Sequence, residues 1–153
     1  MISRRLHILL AAVLLIGAAT VRADSIPVIR GNVSGVELCA QSMCGSAIFI
    51  TLFNGQVGGN PNALGVVTVS ITHEDLPPPD HQALIKGGLW RIQLLGRTIA
   101  GIATGGTLFN NSDGTFAVHL DMSILSGGIG TLEFDGELSH NAFPPTIRGR
   151  ITQ

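Results

Sequence analysis

Thr115-Phe116-Ala117-Val118-His119-Leu120-Asp121-Met122-Ser123-Ile124 is the stretch that decides the fold. Phe116, Val118, Leu120, Met122 and Ile124 occupy every second position, with small or polar residues between them. A period of two puts all five side chains on one face of an extended chain. The stretch therefore reads as a half-buried antiparallel strand, apolar inward and polar outward.

The next run repeats the pattern. Leu132, Phe134, Gly136 and Leu138 alternate with Thr131, Glu133, Asp135, Glu137 and Ser139. Gly127-Gly128 between the two runs marks a turn, so 115–139 reads as a hairpin. Its polar face carries His119, Asp121, Glu133, Asp135 and Glu137, and register decides which residues meet. A three-residue turn sets His119 opposite Glu137 and Asp121 opposite Asp135. A shift of one two-residue step sets His119 opposite Asp135 and Asp121 opposite Glu133. Facing carboxylates repel unless a cation such as calcium lies between them. The plainer reading is an exposed acidic face.

Upstream, Val67, Val69 and Ile71 alternate with Thr68, Ser70 and Thr72, and Trp90, Ile92 and Leu94 with Arg91 and Gln93. Breakers such as Asn54-Gly55, Pro77-Pro78-Pro79, Asp113-Gly114 and Pro144-Pro145 divide the runs. Eight strands are predicted, at 28–34, 47–54, 65–73, 88–94, 98–109, 115–124, 130–139 and 146–152. No stretch longer than a turn has helical periodicity. Ala47 to Phe53 is apolar on both faces, with Ile48, Ile50 and Leu52 opposed to Phe49 and Phe53. Such a strand is either covered twice, the plainer reading, or lines a pocket.

Four segments share the pattern apolar-x-Gly-x-apolar-Ser/Thr. They are centred on Gly31, Gly101, Gly136 and Gly149, each Gly falling on the apolar face. A glycine there permits bending or the close approach of another group. The first and last copies are the most alike, Pro27-Val28-Ile29-Arg30-Gly31 against Pro145-Thr146-Ile147-Arg148-Gly149. Matched terminal strands can pair and close a sheet on itself. The fold expected is an all-β, antiparallel up-and-down β-barrel of about eight strands, with a two-sheet β-sandwich as the alternative.

Composition agrees. Leu, Ile, Val and Phe fill 40 of the positions from Asp24 onward, too many for a disordered chain. The chain has one lysine and 20 glycines, which argues against an all-helical protein.

The 153 residues divide into 1–23, read as a secretory signal peptide, and 24–153, a single all-β domain. Arg4, Arg5 and His7 give a basic start, and 8–19 is an uninterrupted run of apolar residues and Gly. That run is shorter than the ~20 residues a membrane helix needs but suits a signal core. Val21 and Ala23 stand at −3 and −1 of a cut before Asp24. The chain is therefore expected to be exported, periplasmic or secreted. After the cut, nine basic residues fall to six against ten acidic ones, a net charge of −4. This leaves no footprint for nucleic acid. An outer-membrane barrel would need aromatic girdles, and the chain has no Tyr, one Trp and six Phe. No stable membrane insertion is expected once the signal is removed.

Cys39 and Cys44 lie close in sequence in an exported chain, and a structural disulfide is the first reading. Free thiols and metal binding are the alternatives. His73-Glu74-Asp75-Leu76-Pro77-Pro78-Pro79-Asp80-His81 sets two imidazoles and three carboxylates around a stiff turn. His73, His81 and Asp80 are the candidate ligands for zinc, copper or nickel, against the plainer reading of a solvated acidic loop. Phe49, Phe53, Trp90 and Phe109 are candidate lining residues for a small apolar ligand. Arg30, Arg148 and Arg150 share the polar side of the terminal strands and suit either surface ion pairs or an anion.

The chain carries no G-x-S-x-G, H-E-x-x-H, P-loop or complete G-x-G-x-x-G. No enzyme is expected, and no cofactor beyond a candidate divalent metal. The function expected is a non-enzymatic exported binding module for a small apolar ligand. The alternatives are a structural or protein-interaction domain and a divalent-metal-binding protein using His73 and His81. The partner is thus an unknown small ligand or protein. A filled core favours protein interaction, and a cavity of several hundred Å3 favours the ligand.

Overall fold

The computed structural model describes residues 28–40 and 45–153. The expected signal peptide, 1–23, and Cys44, and with it the expected disulfide, lie outside the described residues.

Eight antiparallel strands form one closed barrel in chain order. They are β1 (Ile29–Ala40), β2 (Ser46–Val57), β3 (Asn60–His73), β4 (Gln82–Leu94), β5 (Arg97–Asn110), β6 (Thr115–Ser126), β7 (Thr131–Ser139) and β8 (Thr146–Thr152). The barrel closes between the two similar end segments, with Val33 opposite Gly149 and Gly35 opposite Ile147. Closure leaves no unpaired sheet edge, the feature that most exposes β proteins to aggregation.

The interior follows the period-two pattern. Phe116, Val118, Leu120, Met122 and Ile124 of β6 are all buried. Register in the β6–β7 hairpin is the shifted one, with His119 opposite Asp135 and Asp121 opposite Glu133.

The four repeated glycines have a common use. Each lies where an aromatic ring rests on the barrel wall. A Cβ added to Gly31 would stand 2.8 Å from Phe53 Cε2, and one on Gly101 would stand 2.9 Å from Trp90 Cζ2. Gly136 and Gly149, neighbours in β7 and β8, both underlie the ring of Phe134. Three aromatic side chains thus rest on wall positions without a side chain. Backbone of the adjoining strand crowds the same positions, with the Asn54 carbonyl oxygen 2.7 Å from a Gly31 Cβ and the Ser123 carbonyl oxygen closer still to a Gly101 Cβ. The Trp90 indole also donates to the Ile102 carbonyl at 3.1 Å, which satisfies its one polar group.

Several strands run further than breakers imply. β1 continues through Gly35 to Ala40, and β3 begins at Asn60 beside Pro61. β4 begins at Gln82 and passes through Gly87-Gly88, with a register shift opposite Thr72 and His73. In a coiled barrel, glycines inside strands mark bends rather than ends.

Candidate functional site

The two ends of the barrel differ. At one end the links are short: 58–59, 95–96 and 127–130. Gly58 and Gly59 both have positive φ, as a two-residue hairpin with the twist of its strands requires. The other end carries the links 74–81, 111–114 and 140–145, the first and last of them longer, and with them His73, His81 and His140.

His73 ends β3 on its inward face and is buried. Its Nδ1 lies 2.5 Å from the Glu74 carbonyl. His81 is exposed in the following loop, with Nδ1 2.8 Å from the Pro79 carbonyl. Asp80 accepts from the Ser112 hydroxyl at 2.8 Å. His73, Glu74, Asp75 and Lys86 share a surface cleft of about 580 Å3, whose lining omits His81. Among the described residues, no three His, Cys, Asp or Glu side chains are grouped to hold a metal ion.

Phe49, Phe53 and Trp90 are interior and almost fully buried. Phe109 is on the outer surface, 39% exposed. The void between Phe49, Val67, Leu120, Phe134 and Ile151 measures about 30 Å3. Small-molecule sites usually span ~300–1,000 Å3.

Two residues at the long-loop end escape a reading confined to 28–34 and to the loop histidines. Glu37 continues the inward phase of Ile29, Gly31, Val33 and Gly35, and its side chain is only 4% exposed. Its Oε2 lies 3.2 Å from Nε2 of His140, at the end of β7. Neither atom makes a directed hydrogen bond. The His140 ring packs at a tilt on Phe116, with centroids 5.2 Å apart. Backbone bonds fix both residues: Glu37 N–H donates to Pro145, and His140 N–H donates to Gly114. Extending the period-two count of β1 by two residues is the sequence signal that places a carboxylate in the core.

The outer surface has two unlike sides. Strands β6 to β8 carry Asp121, Glu133, Asp135 and Glu137, with Arg148 opposite Glu137 and Arg150 opposite Asp135. His119 sits in this group, with Nδ1 2.7 Å from Asp135 and Nε2 3.4 Å from Asp121. The hydrogen bond that the His119 ring donates to Asp135 holds its imidazole above its usual range, and the charges of Asp135 and Asp121 act the same way against a smaller opposing effect of burial. In the 111–114 loop, the Thr115 hydroxyl and N–H hold the Asp113 carboxyl below its usual range.

Strands β2 to β5 contain no Asp or Glu at all. Their outward positions include Ile48, Ile50, Leu52, Leu64, Val66, Leu89 and Ile102, between 37% and 67% exposed. Register makes these residues neighbours. Ile50 faces Val36 of β1, Leu52 faces Val66, and Leu89 faces Ile102, while Ser70 joins Ile48 to Leu89. Arg91 stands among them between Thr68 and Ala100. No described residue covers this wall, so the two-faced apolar character of β2 is met by the core on one side only.

No family model and no curated protein matches the chain.

Proposed function

We propose that the mature chain is an exported, non-enzymatic binding module that engages a protein partner across the outer wall of β2 to β5. One observation carries the reading: Ile48, Ile50, Leu52 and Val66 on β2 and β3, and Leu89 and Ile102 on β4 and β5, are exposed apolar groups on one wall, with Thr68, Ser70 and Arg91 between them, on a barrel whose interior is already filled. Soluble monomers rarely leave a large apolar surface open, and interfaces combine apolar contacts with interleaved hydrogen-bonding groups. Thr68, Ser70, Gln93 and Thr98 supply the interleaved polar groups. They fit a protein surface, which returns hydrogen bonds, better than lipid tails, which cannot. The basic start and apolar run before Asp24 support export.

Purification from the native host tests the reading. Wild-type protein should elute with a stoichiometric partner, and the Ile50→Asp Leu89→Asp variant should elute alone with the same circular dichroism. Co-elution of a small apolar molecule with wild type, and of no protein, would overturn it.

A further inference from the structure

We propose that the partner of the outer wall is a different protein, whose contact face sets an aspartate or glutamate carboxylate against Arg91. The inference rests on the reading of the wall as an interface and adds the chemistry of what meets it.

Charge on the wall is one-sided. Strands β2 to β5 carry three cations, Lys86, Arg91 and Arg97, and no Asp or Glu. Lys86 lines the cleft that holds Glu74 and Asp75. Arg97 donates to the Gly127 carbonyl at 2.7 Å. Arg91 has neither kind of company: no hydrogen bond or ion pair joins it to another described residue. Its neighbours on the outer face are uncharged. Thr68 and Ala100 stand opposite it, Leu89 and Gln93 flank it along β4, and Val66 and Ile102 lie on the diagonals.

In water the guanidinium is solvated and needs no counter-charge. Under a partner it loses that water, and a desolvated charge is costly unless an opposite charge replaces it. The wall has no acid to offer, so the partner supplies it. A carboxylate does this with two parallel hydrogen bonds to the guanidinium. Arginine is also enriched at interfaces and among the residues that dominate their energy.

A second copy of this chain fits poorly in either arrangement. Wall to wall about a two-fold axis, two like faces would meet, each bringing an Arg91 and no acid to receive it. Head to tail, the wall would meet β6 to β8. That face offers Asp121, Glu133, Asp135 and Glu137, but among the described residues its one exposed large apolar side chain is Leu125. The isoleucines and leucines of the wall would then lie against carboxylates. The complement is an apolar face with an acid set into it.

Carbodiimide coupling tests the proposal, because it joins an amine to a carboxylate in contact with it. Lys86 is the one lysine of the chain, so a Lys86→Arg Arg91→Lys protein carries its single side-chain amine at position 91. In native-host extract this protein should form an amide with an Asp or Glu of the partner, located by mass spectrometry of the joined peptides. Arg91 is exposed and unbonded, so Arg91→Gln leaves the fold intact. It should weaken the complex with that partner at least ~30-fold, and Arg91→Lys much less. Photo-crosslinking from position 50 reports separately on the wall. An adduct from position 50, with no coupling at 91 and unchanged affinity of Arg91→Gln, overturns the proposal and leaves the wall an interface. An adduct with a second copy of this chain overturns it too. No adduct from position 50 overturns the reading of the wall and this proposal together.

Discussion

Phe134 lies across Gly149, so that a Cβ on the glycine would stand 2.5 Å from Phe134 Cε2. Gly149→Ala should destabilise the barrel by about 1–3 kcal/mol, the usual cost of overpacking. The neighbouring Asp135 carbonyl is also close, so part of that cost is backbone crowding. Denaturant unfolding of a double-mutant cycle separates the two. In a Phe134→Leu background the alanine should cost measurably less. An unchanged cost would mean that the ring is not the cause.

Removing β8 should be far more damaging than removing a loop of equal length. Truncation before Thr146 takes away the partner of both β1 and β7 and opens two sheet edges. The shortened chain is expected to lose its cooperative thermal transition and to aggregate at micromolar concentration. Gel filtration and a thermal melt check this.

Most of the barrel was legible because β6 and β7 alternate without interruption, and because the segments around Arg30-Gly31 and Arg148-Gly149 resemble each other. The echo was legible as a pattern, but the rings of Phe53, Trp90 and Phe134 and the strand backbone that crowd these glycines are distant in sequence. Strand ends were less legible. Gly35 and Gly87-Gly88 carry the composition of turns, yet they bend strands that continue. That is why Glu37, just past the expected end of β1, was not placed in the interior. His140 shares its surroundings only because β7 and β8 return to β1. Ile48, Ile50 and Leu52 announced a second apolar face. Whether another part of the chain covered it depended on the closed topology, which leaves the outside of β2 to β5 open.

The His119–Asp135 pair should make stability depend on pH in a stated direction. The folded imidazole titrates above its unfolded value of 6.5. Its contribution is therefore fully present below that value and is lost as pH rises through the raised folded value. Both side chains are substantially exposed, so the pair is worth only ~0.2–1 kcal/mol. Asp135→Asn should lower stability by this amount near pH 5.5 and by nothing measurable at pH 9. Denaturation at the two pH values, with an NMR titration of His119, checks both parts.

Asp113 should act in the opposite sense. Its carboxyl is held below the usual range by Thr115, so its contribution is present at neutral pH and lost as pH falls through the lowered value. Thr115→Val removes the hydroxyl donor and should raise the Asp113 titration point, read by carboxyl carbon NMR.

The outer wall is the central claim, and photo-crosslinking in the native host tests it most directly. A photoreactive phenylalanine derivative placed at Ile50 or Leu89 lies on the wall, and one at Glu137 lies on the acidic side. The account predicts one discrete protein adduct from positions 50 and 89 and none from 137. Equal labelling from all three positions, or no adduct from the wall, would contradict it.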